Sequence, residues 1–190
     1  MTTQRLSSLD WIQAGFRALL SGGEGAVRAE PLARELGVSK GSFYWHFKSV
    51  ADLHNRMIDH WETAATATII DMVEQGGGSA RHRLSALMDL VMSDLDAPYG
   101  GPLAEISIRD WAQRAEFVAR SQERVDAARL AYLSQLFERD GVTSKQAEAN
   151  ARLTYSTYIG AASLPTAERA ATVQHLLTLL DLEKQNAAHG

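Results

Sequence analysis

The chain has 190 residues, of which 45% are hydrophobic and none is cysteine. This composition is too apolar for a disordered chain, and the lack of cysteine excludes disulfide frameworks, thiolate zinc sites and cysteine nucleophiles. The net charge of -4 is unevenly spread, because residues 1–60 carry seven Lys/Arg and six Asp/Glu whereas residues 61–190 carry twelve and seventeen.

The charge asymmetry is small, but its sign suits a chain whose N-terminal part binds nucleic acid. No segment approaches the run of about 18 apolar residues that a membrane span needs, and residues 1–10 lack the apolar run of a secretory signal. We therefore expect a cytoplasmic protein without a membrane partner. Only four prolines occur and apolar residues recur with helical spacing, which predicts an all-α fold of nine helices.

The first predicted helix follows Ser7, which can form a capping box with Asp10, and it ends at residues 21–23. A second helix of about two turns has Pro31 in its first turn. It ends at Gly37, a residue suited to a left-handed C-terminal cap.

The third predicted helix is short and begins after Ser39, which can act as its N-cap. Val38 can pack against Phe43 as a hydrophobic staple. Because Phe43 and Phe47 lie four positions apart, they share the face that we expect to be buried.

A long fourth helix is predicted from the capping box of Ser49 and Asp52 to the glycines at 76–78. Turn-forming residues then separate five more helical stretches. These stretches cover residues 80–95, 102–112, 115–140, 143–162 and 167–184.

Residues 32–43 combine a short helix, a glycine turn and a second short helix, which is the pattern of a helix-turn-helix. Away from the phenylalanine face, the third helix presents Gly41, Tyr44, Trp45 and Lys48, and Lys40 and Ser42 lie at the flanks of that face. Such residues can bind phosphates, guanine acceptors and thymine methyl groups in a major groove. The alternative to DNA contact is that the aromatic rings pack in the core and the lysines are simply solvated at the surface.

Residues 37–49, GVSKGSFYWHFKS, followed by Asp52 and Leu53, resemble the signature of the tetracycline-repressor (TetR) family. The resemblance implies a DNA-binding domain over residues 1–50 and a ligand-binding and dimerisation domain over 51–190. It also implies a set of DNA-contacting residues: Arg28, Ser39, Lys40, Gly41, Ser42, Tyr44, Trp45, His46 and Lys48. Arg28 stands where the family often has Thr or Ser, and Val50 where it often has Lys.

The last two helices are expected to form the homodimer interface, because the apolar surface of the final helix includes Leu179 and Leu182 and is too wide for one neighbour. The resemblance implies the same interface, a four-helix bundle between two chains. The candidate residues are Tyr155, Tyr158, Ile159, Ala162, Val173, Leu176, Leu177 and Leu180. Burial within one chain is the alternative.

A cavity for a small, apolar or amphipathic effector is expected among residues 49–140. The candidate lining residues have large, polarizable or aromatic side chains, and packing in an ordinary core is the alternative for each of them. They are Trp61, Met88, Met92, Trp111 and Tyr132. The stretch 109–114 would be either a polar ligand hook or an ion-paired helix surface.

Enzyme activity, a cofactor and a metal site are not expected. Neither of the sequence patterns G-x-S-x-G and H-E-x-x-H occurs, and the spacing of His46, His54 and His60 does not put two ligands on one helical turn. The sequence therefore predicts a dimeric repressor that binds a palindromic double-stranded operator and is released by its effector. The alternative is a helical bundle that binds proteins or ligands and no longer binds DNA.

Overall fold

The computed structural model describes residues 6–93, Tyr99 and residues 101–187. Over these residues the chain forms nine helices and a short 3-10 turn, Glu24–Ala26, without a strand, so the predicted all-α fold is confirmed. The helices are α1 (Ser8–Gly22), α2 (Ala29–Glu35), α3 (Lys40–His46), α4 (Val50–Glu62, Thr63–Ala67 and Thr68–Gly76), α5 (Ala80–Ser93), α6 (Gly101–Ala112), α7 (Glu116–Arg139), α8 (Ser144–Ala161) and α9 (Thr166–Ala187).

Helix α4 is continuous but irregular. Its middle segment, Thr63–Ala67, is a π-helical turn, and the residues that flank it keep right-handed helical backbone angles. A π turn inserts an extra residue into the helix and is frequent at functional sites. We call this segment the π turn.

The capping box of α1 is present as predicted. The amide of Asp10 donates to Ser7 Oγ at 3.3 Å, and the amide of Ser7 donates to Asp10 Oδ2 at 2.6 Å. At α4, Ser49 Oγ accepts from the amide of Asp52, but the Asp52 carboxylate accepts from the amide of Lys48 instead of closing the box on Ser49.

The turn between α2 and α3 is fixed by backbone hydrogen bonds. Gly37 has a φ of 69°, and its amide donates to the carbonyl of Arg34 while that of Val38 donates to Ala33. This pair of hydrogen bonds is a Schellman motif, which glycine accommodates without strain. Ser39 is the N-cap of α3, although its hydroxyl makes no capping hydrogen bond.

Two apolar clusters form the core. The first joins α1, α2, α3 and the start of α4 to α6 and the first half of α7, and it includes Trp11, Phe43, Phe47, Met57 and Trp111. The second joins the end of α4 to α5, the second half of α7, α8 and α9. Because the first cluster extends across residue 50, the N-terminal helices are packed directly onto the body. The predicted division at residue 50 stays a prediction.

Helices α1 and α4 approach closely at Gly15. A Cβ atom at this position would lie 2.6 Å from Sδ of Met57, which is fully buried. The glycine therefore lets the two helices pack in direct contact. None of the described helices is both long and apolar enough to cross a membrane.

Candidate nucleic-acid interface and internal cavity

Helix α3 has one buried and one exposed face. Phe43 and Phe47 are 0% and 1% exposed, and the Phe43 ring meets Trp11 edge to face at 5.4 Å between centroids. On the opposite side Tyr44 and Trp45 are 56% and 86% exposed. The packing of two phenylalanines into the first cluster thus decides which side chains of α3 face solvent.

The nine residues predicted to contact DNA lie on or beside this exposed side. Seven of them are exposed: Arg28, Ser39, Lys40, Gly41, Tyr44, Trp45 and Lys48. Ser42 and His46 are half-buried, and the His46 ring lies 6.3 Å from the rings of Trp11 and Phe47. We call Lys40, Gly41, Tyr44, Trp45 and Lys48 the reading face.

The cations beside α3 are not held in close ion pairs. Among the described residues, Arg28, Lys40 and Lys48 form no ion pair, whereas the nearby acids are all engaged. Glu30 pairs with Arg34, Glu35 with Arg17 and Asp52 with Arg56. The backbone hydrogen bond from Lys48, aided by Arg56, lowers the pKa of Asp52. The reading face is therefore locally positive although the chain is acidic overall.

The body encloses a cavity between α4, α5, α7 and α8. The cavity is partly open to solvent. Of the residues predicted to bind a ligand, Met88 and Tyr132 line it. Trp61 and Trp111 are buried but do not line it, and the side chain of Met92 lies outside the described residues.

A buried ion pair lies at the cavity, which one of its members, Arg129, lines. Arg129 of α7 pairs with Glu105 of α6 at 2.7 Å, and both side chains are almost fully buried. The guanidinium also donates to the carbonyl oxygen of Ala65 at 2.9 Å and to Thr66 Oγ1 at 3.2 Å. Both acceptors belong to the π turn, so Arg129 links the cavity wall to α4. The Glu105 carboxylate additionally accepts from the indole of Trp61.

A second ion pair extends this network. Arg109 binds the two oxygens of Asp126 at 2.6 and 3.1 Å, and it donates to the hydroxyl of Tyr155 at 2.8 Å. Burial would raise the pKa of Asp126, but the hydrogen bonds from Arg109 and Tyr155 hold it below its usual value. Burial raises the pKa of Tyr155, which therefore stays protonated and donates to Asp126.

The sequence left two interpretations of residues 109–114, a polar ligand hook and an ion-paired helix surface, and different residues of the stretch fit each one. Asp110 and Arg114 form an exposed ion pair four residues apart, as on an ordinary helix surface. Arg109 instead enters the buried network. Arg129 and Glu105 were not among the residues predicted from the sequence, and the only signal for them is a charge placed among apolar neighbours on each helix.

The eight residues predicted for the dimer interface lie largely inside one chain. Seven are buried and Ile159 is half-buried; Tyr155 and Tyr158 line the cavity, whereas Leu176, Leu177 and Leu180 belong to the second cluster. The large apolar side chains exposed on α8 and α9, among the side chains described there, are Leu153 at 50% and Leu179 at 46%. The role of the eight residues in a dimer interface stays a prediction, and Leu153 and Leu179 are further candidates on the exposed faces of these helices.

The N-terminal helices thus form a helix-turn-helix, a motif of DNA-binding proteins, and this motif is packed on a helical body that contains a cavity. The sequence pattern described as "Bacterial regulatory proteins, tetR family" matches residues 12–57. Residues 12–57 thus match the DNA-binding module of the TetR family, and the described chain has the fold of solved TetR-family regulators, which confirms the resemblance.

The fold comparison rests on solved structures of low sequence identity. A TetR-family regulator from Agrobacterium tumefaciens has a TM-score of 0.76 at 19% identity, covering 90% of this chain and 95% of that one. A TetR regulator from Legionella pneumophila has a TM-score of 0.76 at 14% identity, covering 96% and 99%. The reduced form of E. coli NemR has a TM-score of 0.73 at 18% identity, covering 92% and 96%. None of the curated proteins compared with the chain matches it.

Proposed function

We propose that the protein is a transcriptional repressor that binds a palindromic DNA operator as a dimer, in the cytoplasm, and is released by a small apolar or amphipathic ligand. In this proposal residues 1–50 read DNA and residues 51–190 sense the ligand and dimerise. The observation that carries it is Trp45, which is 86% exposed beside Tyr44 and two lysines, Lys40 and Lys48, that pair with no acid in the described part of the chain. A surface that displays two large rings between cations is unfavourable in water and suits a partner that covers it.

The reading face has the chemistry that a major groove requires. Lys40 and Lys48 can bind guanine acceptors or phosphates, and the rings of Tyr44 and Trp45 can contact thymine methyl groups or the sugar backbone. Gly41 has no side chain, so the backbone there can approach the duplex closely. Arg28 stands at the N-cap of α2, where its guanidinium and the first amides of that helix can bind a phosphate.

The dimer would form through the outward faces of α8 and α9, with Leu153 and Leu179 near its centre. Apolar side chains that are half exposed on two neighbouring helices suit an isologous interface, in which each chain presents the same patch. Two α3 helices related in this way would lie about 34–36 Å apart and read two half-sites of a palindrome.

Ligand release would act through α4. This helix contributes Ala65 and Thr66 of the π turn to the cavity wall, and its N-terminal half packs against α1 through Met57 and Gly15. A ligand that prefers the arrangement with misplaced reading faces would weaken DNA binding by its differential affinity, typically about 1–3 kcal/mol.

Selection of duplexes from a random pool, followed by sequencing, tests DNA binding directly. We expect a palindromic consensus whose binding is lost in the Lys40→Ala/Tyr44→Ala double variant. Lys145→Ala is the matched control, because Lys145 is exposed on α8, away from the reading face. If the selected duplexes share no consensus, or if the double variant binds them as tightly as the native protein, the proposal is contradicted. Either result would favour a protein-interaction bundle.

A further inference from the structure

The cavity is apolar on most of its surface and polar at one end. Its apolar walls come from α4, α5 and α7: Ile69, Ile70, Leu87, Met88, Val91 and Leu133. Thr66, Tyr132 and Tyr158 also line it with polar groups, and we call the part beside Thr154, Tyr155 and Arg129 the polar end. A molecule that fits must therefore be largely apolar with a polar group at one position.

Thr154 offers a hydroxyl that the protein itself does not use. The residue is 1% exposed and is one of those that line the cavity, and its buried Oγ1 atom has no hydrogen-bond partner among the described residues. A threonine in a helix commonly donates to the carbonyl four residues earlier, but this hydroxyl does not. Because an unpaired buried hydroxyl is unfavourable, the site favours a ligand that supplies a partner.

Arg129 has one further donor available. Its Nε–H is taken by Thr66, and its Nη2 group is shared between Ala65 and Glu105. Nη1 carries two hydrogens, of which one is directed to the hydroxyl of Tyr155 at 3.2 Å in the described part of the chain. The remaining hydrogen can be donated to an oxygen atom in the cavity.

The charges around the polar end are already balanced. Arg129 is paired with Glu105, and Arg109 with Asp126, so the buried network has two positive and two negative groups among the residues that the structure describes. A ligand carboxylate or ammonium placed here would add a charge without a counterion, which is costly in a buried site. The site therefore discriminates against both signs of charge.

Resting on the proposed ligand-responsive function, we infer that the cavity binds an uncharged, apolar molecule with one oxygen acceptor, such as a ketone or an ester. The hydroxyl of Thr154 and the free N–H of Arg129 both donate to that oxygen. The hydrocarbon part lies against the apolar walls of α4, α5 and α7.

Three probes with the same carbon-chain length test the charge preference: 2-nonanone, nonanoate and nonylammonium. Binding to the free protein is measured without DNA, by calorimetry and by intrinsic tryptophan fluorescence, to which Trp61, hydrogen-bonded to Glu105, contributes. We expect 2-nonanone to bind at least about tenfold more tightly than either charged probe. Equal or tighter binding of a charged probe, or no saturable binding of 2-nonanone, would overturn the inference.

Thr154→Val tests the residue assignment, because it keeps the shape of the side chain and removes the hydroxyl. We expect about tenfold weaker binding of 2-nonanone with little change for the charged probes. Thr178→Val is the control, since its hydroxyl donates to a carbonyl on the exposed side of α9. Unchanged ketone affinity in a folded Thr154→Val protein would overturn the inference. Failure of the DNA selection alone would refute the proposed function and leave these ligand measurements standing.

Discussion

The guanidinium of Arg129 donates from Nη2 to the carbonyl oxygen of Ala65 at 2.9 Å, inside the π turn of α4. A π turn disturbs the regular hydrogen-bond ladder, so its carbonyls need other donors. Arg129 supplies one from α7 while its charge is balanced by Glu105. The irregularity of α4 and the buried ion pair are therefore parts of one arrangement at the cavity wall.

Removal of Arg129 should destabilise the protein strongly. Arg129→Met leaves the buried Glu105 carboxylate without its partner, and loss of one member of a buried pair costs about 3–5 kcal/mol. Urea unfolding followed by circular dichroism measures this change. The double variant Arg129→Met/Glu105→Gln should recover part of the loss, because no unpaired charge remains. A single variant as stable as the native protein would show that the pair is energetically unimportant.

Lys40 should contribute to the salt dependence of DNA binding. Neutralising one phosphate-bound lysine lowers the slope of log K against log salt by about 0.9, so Lys40→Ala in both chains of a dimer should reduce it by about 2. Fluorescence anisotropy with a selected duplex at several salt concentrations gives the slope. Lys145→Ala should leave it unchanged; a slope unaltered by Lys40→Ala would mean that this lysine does not bind a phosphate.

Leu179→Glu should dissociate the dimer without unfolding the chain. The side chain is 46% exposed, so a carboxylate there is tolerated in the monomer but would be buried in the proposed interface. Sedimentation velocity measures the oligomeric state. Leu103→Glu is the matched control, because Leu103 is 44% exposed on α6. Dissociation by the control, or a stable Leu179→Glu dimer, would place the interface elsewhere.

The protein should lose stability as the pH falls below about 6.5. Burial lowers the pKa of both His54 and His60 from the ordinary value of 6.5. The unfolded chain therefore binds protons at a higher pH than the folded chain, and stability rises with pH across this window. The melting temperature should be lower at about pH 5.5 than at about pH 7.5.

Histidine variants test whether His54 and His60 cause this pH dependence of stability. His54→Gln/His60→Gln should flatten the dependence of the melting temperature on pH, whereas His175→Gln, at an exposed site, should not. The carboxylates with lowered pKa act below their ordinary values of 3.8 for aspartate and 4.5 for glutamate, and so outside this window; they are Asp10, Asp52, Glu62, Glu74, Asp110 and Asp126. An unchanged pH dependence in the double variant would assign the effect to other groups.

Local patterns in the sequence predicted most of the fold and the reading face. The caps at Ser7 and Gly37 depend on residues within a few positions, and the split between Phe43 and Trp45 follows from the helical period alone. The interface prediction had no such support. Apolar residues surround much of α9, and periodicity cannot tell the face that packs on α8 from the face that is exposed.

The order of the helices, their termini and the outward placement of Tyr44 and Trp45 were determined by the sequence, because each rests on interactions between residues close in the chain. The tertiary structure alone decided that Leu177 is buried while Leu179 is exposed, and that Arg129 of α7 meets Glu105 of α6 and the π turn of α4. The contacts of Arg129 join residues that lie 24 and 64 positions apart in the sequence. Their distance in space therefore depends on how the helices pack. Residue type identifies a large or charged side chain, but the surrounding helices determine whether it is core, cavity wall or surface.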